Sequence, residues 1–170
     1  MKFGVIGAGV TGLATALELS KAGHDVTIFE RSKHISEFGA GVQLSPNGVK
    51  VIRRLGIEPE IVKLASSPER IVMREAENDR LVFRLPVGRF AVKRYRAGFF
   101  QIHRSDLVRI LYEKASGLGA LFQFGNEAFV KSTNKASAVI LSGGFNFSFD
   151  AVVAADGVHS ATRRKFFQMD

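Results

Sequence analysis

The chain has 170 residues, no cysteine and a formal net charge of +8, and 46% of its residues are hydrophobic. This length and composition fit one ordinary domain with a packed core. The lack of cysteine excludes disulfides and thiolate metal sites, and the four histidines lack metal-ligand spacing, so no metal site is expected. No apolar run reaches the length of a bilayer crossing, which predicts no membrane span and, by default, a cytoplasmic protein.

The positive charge is concentrated between Arg80 and Lys114, where nine Lys and Arg residues accompany only two acids. Such a surface attracts many anions, among them phosphorylated cofactors and membrane surfaces. Because no known nucleic-acid-binding module accompanies the charge, we expect a solvated basic surface and no nucleic-acid partner.

The first thirty residues contain the pattern of a β-α-β unit. A short apolar run, Phe3 to Ile6, predicts a buried strand and ends at Gly7-Ala8-Gly9-Val10-Thr11-Gly12. Apolar residues then recur at helical spacing up to Gly23, and Asp25 to Glu30 predicts a second strand. Strand, glycine turn, helix and strand in this order are typical of a dinucleotide-binding site.

Each residue of this motif has a physical reason. Gly7 permits a tight turn, Gly9 lets the backbone approach a pyrophosphate, and Gly12 lets the helix lie close to the strand. The start of the helix offers unpaired N–H groups to phosphates, and Glu30 is placed to accept hydrogen bonds from ribose hydroxyls. A carboxylate there would repel a 2′-phosphate, which disfavours NADP. FAD and NAD both carry ADP, so the motif does not choose between them.

The middle of the chain predicts helices and one hairpin. Ser45-Pro46 begins a helix that ends before Gly56. The predicted elements after Gly56 are a helix over residues 57–65, strands over 70–75 and 80–85 around a turn, and a helix over 105–115.

The last fifty residues predict mainly strands. The runs over 121–124, 128–132, 138–141 and 145–149 indicate a β-meander, and Ala151 to Ala154 fits a buried parallel strand. The chain therefore returns to a parallel strand only near residue 151. A simple dehydrogenase more often alternates strands and helices without such an interruption, so the layout favours a flavoprotein.

Three further segments carry a family resemblance: "FGAGVQLSPNGVKVIRRLG" (38–56), "QIHRSDLVRIL" (101–111) and "VVAADGVHSATRR" (152–164). In this order after the glycine motif, the chain resembles the N-terminal part of single-component, FAD-dependent aromatic hydroxylases, in particular the salicylate-hydroxylase-like enzymes. The resemblance implies an α/β, Rossmann-like FAD-binding fold of the glutathione-reductase type, with a parallel sheet, a β-meander and the beginning of a substrate-domain sheet. It assigns residues 1–68 and 101–170 to the FAD-binding domain and residues 69–100 to the substrate domain.

The resemblance also implies the cofactor contacts. The residues it assigns to FAD are the three glycines, Glu30, Arg31 beside the adenosine, Gln43 and Arg104 along the pyrophosphate and ribityl chain, the backbone near Ala128 at the adenine, and Asp156, which is associated with both FAD and NAD(P)H. A guanidinium at position 104 can bind a pyrophosphate through two hydrogen bonds. The alternatives are that Arg104 pairs with a surface carboxylate and that Asp156 is an ordinary turn residue before Gly157. No residue is assigned as catalytic.

The implied activity is oxygen transfer from a flavin C4a-hydroperoxide to an aromatic substrate, with NADH or NADPH and molecular oxygen as co-substrates. Family members are more than twice as long and carry a later Gly-Asp motif that is not in these 170 residues, so we expect an N-terminal fragment. A complementing C-terminal half or a homo-oligomer is then a possible partner. The alternatives are an inactive nucleotide-binding fragment, half of a split enzyme, or an NAD-dependent dehydrogenase, which leaves the segment around Asp156 unexplained.

Overall fold

The structure is a computed structural model that describes residues 1–35, 39–133 and 138–167. Two compact units divide the chain: Met1–Glu37 with Val108–Asp170 form the first, and Phe38–Leu107 form the second. The elements in chain order are β1 (Lys2–Ile6), α1 (Val10–Lys21), β2 (Asp25–Glu30), β3 (Gly41–Leu44), α2 (Pro46–Leu55), α3 (Glu58–Leu64), β4 (Arg70–Arg74), β5 (Leu81–Pro86), α4 (Arg89–Tyr95), β6 (Phe100–His103), α5 (Arg104–Gly117), β7 (Leu121–Phe124), β8 (Ala128–Thr133), β9 (Ala138–Ser142), β10 (Phe145–Phe149), β11 (Ala151–Ala154) and α6 (Ala161–Phe167).

A four-stranded parallel sheet with the order β11-β1-β2-β7 organises the first unit. Its register places Ile6 beside both Ala154 and Phe29, so neighbouring strands end at the same level. The predicted β-α-β opening is confirmed. The strand at 151–154 is parallel, as predicted, but it is not buried, because its first three residues are half-buried and Ala154 is exposed.

The prediction that Leu121 to Phe124 belongs to the meander is wrong. These residues form β7, the edge strand of the parallel sheet, which pairs with β2 from Thr27 to Glu30. Residues 31–120 connect β2 to β7 and end with helix α5, so these parallel neighbours have the long crossover connection that they require. The meander itself consists of β8, β9 and β10, paired in antiparallel fashion.

The meander packs on the parallel sheet through apolar side chains. One buried cluster contains residues of both: Ile6, Phe29, Val130, Ile140 and Phe149. The Phe29 ring meets the Phe149 ring edge-on, with centroids 5.9 Å apart. At Gly4 an added Cβ would come within 2.6 Å of the Ile140 side chain, so the meander lies directly against β1.

The second unit contains two separate two-stranded antiparallel sheets, β3 with β6 and β4 with β5, together with α2, α3 and α4. The predicted hairpin is confirmed as β4–β5. The helix predicted after Ser45-Pro46 is α2, and Gly56 ends it in the left-handed conformation with φ of 80°. Strands β3 and β6 and helix α4 were not predicted, because they are four to seven residues long and too short for a clear period.

Candidate functional site

The glycine turn, residues 7–12, joins β1 to α1, and its shape requires two of its glycines. Gly7 has φ of 100°, and an added Cβ would lie 2.4 Å from the backbone oxygen of Ala155. At Gly12 an added Cβ would lie 1.9 Å from the backbone oxygen of Gly7. Any larger residue at either position would force the backbone to move, so α1 begins as close to the strand as the motif predicts.

The start of α1 is suited to an anion. Gly9 precedes the helix in an extended conformation (φ −76°, ψ −178°), no side chain caps this end, and its first turn contains no acidic residue. The first N–H groups of an α-helix have no intrahelical acceptor, and the helix dipole adds partial positive charge there. The end of α1 beside Gly9 can therefore bind a phosphate group.

The Glu30 carboxylate holds the glycine turn. Its Oε2 accepts the backbone N–H of Ala8 at 2.8 Å, and its Oε1 accepts that of Ser32 at 2.9 Å. Each carboxylate oxygen has a second lone pair, so Glu30 can still accept hydrogen bonds from hydroxyl groups. The side chain is half-buried at the end of β2, beside the start of α1.

Arg31 and Ala128, two other residues that the resemblance assigns to FAD, lie in the first unit near the end of β2. Arg31 follows Glu30 and is exposed. Ala128 begins β8, pairs with Ser142 and packs against the cluster that includes Phe29. Its side chain therefore takes part in the packing of the meander on the sheet.

Asp156 lies in the Asp-Gly segment, residues 155–160, between β11 and α6. Its carboxylate accepts hydrogen bonds from the Ser160 hydroxyl at 2.6 Å and from the backbone N–H of Thr162 at 3.1 Å. Burial raises the pKa of this carboxyl, but the hydrogen bonds from Ser160 and Thr162 outweigh it and hold the pKa below its usual value. The alternative interpretation of Asp156 as a turn residue thus has a direct structural basis, because the carboxylate caps the start of α6.

The parallel sheet brings the Asp-Gly segment to the glycine turn. The backbone N–H of Ala155 donates to Ile6 at 2.8 Å, and a Cβ at Gly7 would lie 3.3 Å from Cα of Asp156. Glu30 ends the neighbouring strand. The motif glycines, Glu30 and Asp156 therefore share the carboxyl edge of the sheet, where ligands of open α/β sheets bind.

Gln43 and Arg104 lie in the second unit on neighbouring elements. In the β3–β6 pair, Gln43 is opposite Gln101 and Gly41 is opposite His103, and all four are exposed. Arg104 begins α5 directly after β6 and is half-buried. Arg104 therefore directly follows β6, the strand on which Gln101 pairs with Gln43.

Gly39 is a further residue of this region, and its role was not predicted. An added Cβ there would lie 2.8 Å from Cβ of Arg104, and the backbone N–H of Arg104 donates to Ala40 at 3.1 Å. The Arg104 stem therefore packs directly on the backbone at Gly39. The sequence shows a glycine in the segment "FGAGVQL", but it does not show that this glycine contacts Arg104.

Neither a metal centre nor a membrane-crossing helix is seen in the part of the chain that the structure describes. Within residues 1–35, 39–133 and 138–167, no three His, Asp or Glu side chains are grouped to hold a metal ion. No helix within those ranges is long and apolar enough to span a membrane.

Comparison with known protein families and sequences gives a consistent match. The family described as "FAD binding domain" matches residues 1–168. The chain is 36% identical over 166 residues to 3-amino-4-hydroxybenzoate 2-monooxygenase of Streptomyces cremeus, covering 96% of this chain and 41% of that protein. It is 33% identical over 164 residues to 6-hydroxynicotinate 3-monooxygenase of Bordetella bronchiseptica, and this match covers 95% of this chain and 42% of that protein. The chain thus spans about two fifths of the length of the curated relatives it matches.

Solved structures give the same result for the fold. HpxO of Klebsiella pneumoniae, crystallised as a variant complexed with FAD, matches all of this chain and 43% of its own, with a TM-score of 0.86 and 26% identity. FqzB matches all of this chain and 39% of its own, with a TM-score of 0.84 and 26% identity. A tetrameric form of 2-methyl-3-hydroxypyridine-5-carboxylic acid oxygenase matches 95% of this chain and 41% of its own, with a TM-score of 0.81 and 25% identity.

Proposed function

The chain belongs to the FAD binding domain family, and from this premise we propose that the carboxyl edge of its parallel sheet holds the ADP half of FAD. The observation that carries the proposal is the joint arrangement of the glycine turn and Glu30. The turn leaves the start of α1 without a side-chain cap, and Glu30 is hydrogen-bonded to the same turn. An anion site and a hydroxyl acceptor are therefore adjacent, as a pyrophosphate joined to a ribose requires.

The residues present fit the cofactor. The pyrophosphate meets the N–H groups at the start of α1, where the closeness of the turn depends on Gly7 and Gly12. Glu30 accepts hydrogen bonds from the ribose hydroxyls with its remaining lone pairs. The same negative charge repels a 2′-phosphate, so the site takes FAD in preference to NADP.

The other assigned residues complete the proposal. Arg31 lies beside the adenosine, the backbone near Ala128 contacts the adenine, and Asp156 orders the segment beside Gly7 while capping α6. The resemblance assigns Gln43 and Arg104 to the pyrophosphate and ribityl chain. A half-buried arginine with a packed stem is suited to a bidentate phosphate contact.

The whole protein is proposed to be a monooxygenase that uses NADH or NADPH and oxygen to hydroxylate an aromatic substrate in the cytoplasm, where reduced nicotinamide is supplied. When bound, FAD supplies the oxygen-transfer chemistry, and the residues of this chain bind and orient it. The names of the matching relatives describe monooxygenation of an aminohydroxybenzoate and of a hydroxynicotinate. A hydroxylated aromatic or pyridine carboxylate is therefore the proposed substrate class.

Residues 69–100 are proposed to be the first part of the substrate domain. Every residue of β5 is exposed, and with β4 it forms only a two-stranded sheet. Exposed apolar side chains on this hairpin include Met73, Phe83 and Leu85. An isolated hairpin is marginally stable in water, so further strands of the same domain would complete it.

The main alternative is that this chain is an inactive nucleotide-binding fragment or half of a split enzyme. The two-fifths coverage of the relatives supports this alternative. It implies a partner that supplies the complementing half, or assembly of several copies, as in the tetrameric relative. An NAD-dependent dehydrogenase is less well supported, because the matching proteins are monooxygenases and FAD-binding structures.

Retention of flavin by the 170-residue chain tests the proposal. The chain is mixed with FAD and desalted, and its visible absorbance is recorded for the unaltered sequence, Glu30→Ala and Arg104→Ala. We expect flavin bands with the unaltered chain and their loss in both variants. A folded chain that retains no flavin would contradict the proposal for these 170 residues, and it would favour half of a split enzyme that binds FAD only with its complementing half.

A further inference from the structure

His103 makes a specific contact at the start of α5. Its Nδ1 lies 2.6 Å from the Ser105 hydroxyl oxygen and 3.4 Å from the backbone N of Ser105. His103 immediately precedes the helix, and Ser105 is the second helical residue. An acceptor in this position satisfies an N–H that otherwise has no intrahelical partner, so the imidazole has the place of an N-cap side chain.

The geometry also fixes which imidazole nitrogen carries the proton. A backbone N–H can only donate, so Nδ1 must be the acceptor in its contact with Ser105. The neutral ring then carries its hydrogen on Nε2, and the Ser105 hydroxyl donates to Nδ1 at the shorter distance. Nδ1 of His103 therefore accepts from both the backbone N–H and the hydroxyl group of Ser105.

Between His103 and Ser105 lies Arg104. Its backbone N–H donates a hydrogen bond to the carbonyl oxygen of Ala40, and its aliphatic stem packs on the backbone at Gly39. The first residue of α5 is thus fixed by the neighbouring loop, and the His103–Ser105 contact fixes the direction in which the helix starts. A change in this first turn would therefore move the backbone from which the Arg104 side chain extends.

From these contacts we infer that His103 is a positioning residue for FAD binding: by capping α5 it fixes the first turn of the helix, from which the Arg104 side chain would contact the cofactor. This inference rests on the proposed function, because Arg104 has a binding role only if FAD is the ligand. The imidazole need not touch the cofactor. Its effect passes through Arg104, and this separates it from a residue that contacts FAD directly.

Two substitutions of His103 separate the effect of the capping hydrogen bond from the effect of losing the imidazole ring. In His103→Asn the side-chain oxygen takes the place of Nδ1 and keeps the cap, whereas His103→Gln places its amide near the position of Nε2 and removes it. We expect FAD binding about fivefold weaker in the Gln variant, which corresponds to the loss of one helix cap. The Asn variant is expected to bind FAD within about twofold of the unaltered chain.

A double-mutant cycle with Arg104→Ala tests whether the effect passes through the arginine. Without the guanidinium, changing His103 to Gln is expected to alter the FAD dissociation constant by less than about twofold. The same fivefold loss in both backgrounds would overturn the inference, since His103 would then act independently of Arg104. Equal FAD affinity in the Gln variant and the unaltered chain would overturn it as well.

A second readout needs no cofactor. Two-bond ¹H–¹⁵N correlation spectra of the cofactor-free chain are expected to show His103 with its proton on Nε2, and Ser105→Ala is expected to reduce the preference for this tautomer. A ring protonated on Nδ1 would overturn the inference about His103 and leave the proposed function unaffected. The expected tautomer in a chain that binds no FAD would instead contradict the proposed function, and the role of His103 in FAD binding with it.

Discussion

The carboxylate of Glu30 accepts the backbone N–H of Ala8 at 2.8 Å, and thereby ties the end of β2 to the glycine turn. The second carboxylate oxygen accepts the N–H of Ser32. The residue proposed to bind ribose is therefore already part of the structure that shapes the phosphate site. If Glu30 binds ribose as proposed, ligand binding and local organisation depend on the same side chain.

Glu30→Gln tests this double role. The amide keeps one oxygen acceptor but turns an NH₂ group towards a backbone N–H, so one of the two bonds is lost. We expect a lower melting temperature for the cofactor-free chain and FAD binding weakened by about tenfold or more, because a hydrogen bond to a charged group contributes about 1.5–3 kcal/mol. Thermal unfolding and flavin fluorescence titration measure the two effects.

Glu77→Gln is the matched control, because Glu77 is exposed in the turn between β4 and β5. It makes the same chemical change and is expected to alter neither quantity. If Glu30→Gln behaves like this control, the carboxylate does not organise the turn.

Gly12→Ala tests the close approach of α1 to the strand. A methyl group there would lie 1.9 Å from the backbone oxygen of Gly7, so the backbone must move. We expect destabilisation of at least about 1–3 kcal/mol, typical of overpacking, together with loss of FAD retention. Chemical denaturation and the desalting assay measure these outcomes.

Gly48→Ala provides a control within another helix, since the nearest atom to its added Cβ, in Leu44, is 3.9 Å away. This change is expected to leave stability unchanged or raise it by up to about 1 kcal/mol, because alanine favours helix over glycine. Equal stability of the Gly12 and Gly48 variants would contradict the packing explanation.

The pH dependence of stability is expected to include a contribution from Asp156. Hydrogen bonds from Ser160 and Thr162 hold the pKa of this carboxyl below its usual value despite burial, which alone would raise it. A lowered folded-state pKa means that the ionised group stabilises the fold above the unfolded-state pKa of about 3.9. This contribution is lost as the pH falls through the folded-state pKa.

Asp156→Asn isolates this contribution, since it removes this one ionisable carboxyl and leaves the rest of the sequence unchanged. The variant is expected to melt below the unaltered chain at pH 6, with the difference shrinking as the pH is lowered below about 4. Melting curves recorded from pH 2.5 to pH 7 measure it. A difference that stays constant over this range would show that the charge of Asp156 has no part in stability.

The glycine turn, α1 and β2 were predictable from sequence because local spacing determines them. The place of β7 was not, because pairing of Phe124 with Glu30 depends on a distant strand and on the crossover through α5. The segments β3 and β6 were missed since four residues carry too little pattern.

The site follows the same division. The sequence motif indicates Gly7, Gly12 and Glu30 directly, because each has a fixed offset in the β-α-β unit. The packing of Gly39 against Arg104 joins residues far apart in the chain and becomes visible only in the folded structure. The contact of His103 with Ser105 is local, but ring orientation cannot be read from a sequence.

The most direct test of the central claim compares the affinities of the 170-residue chain for FAD, FMN and NAD⁺. FMN carries the isoalloxazine without the ADP half, and NAD⁺ carries the ADP half without the flavin. If the sheet edge holds the ADP half of FAD, FAD will bind and be displaced by excess ADP, while FMN will bind far more weakly. FMN binding as tightly as FAD, or NAD⁺ binding more tightly than FAD, would contradict the claim.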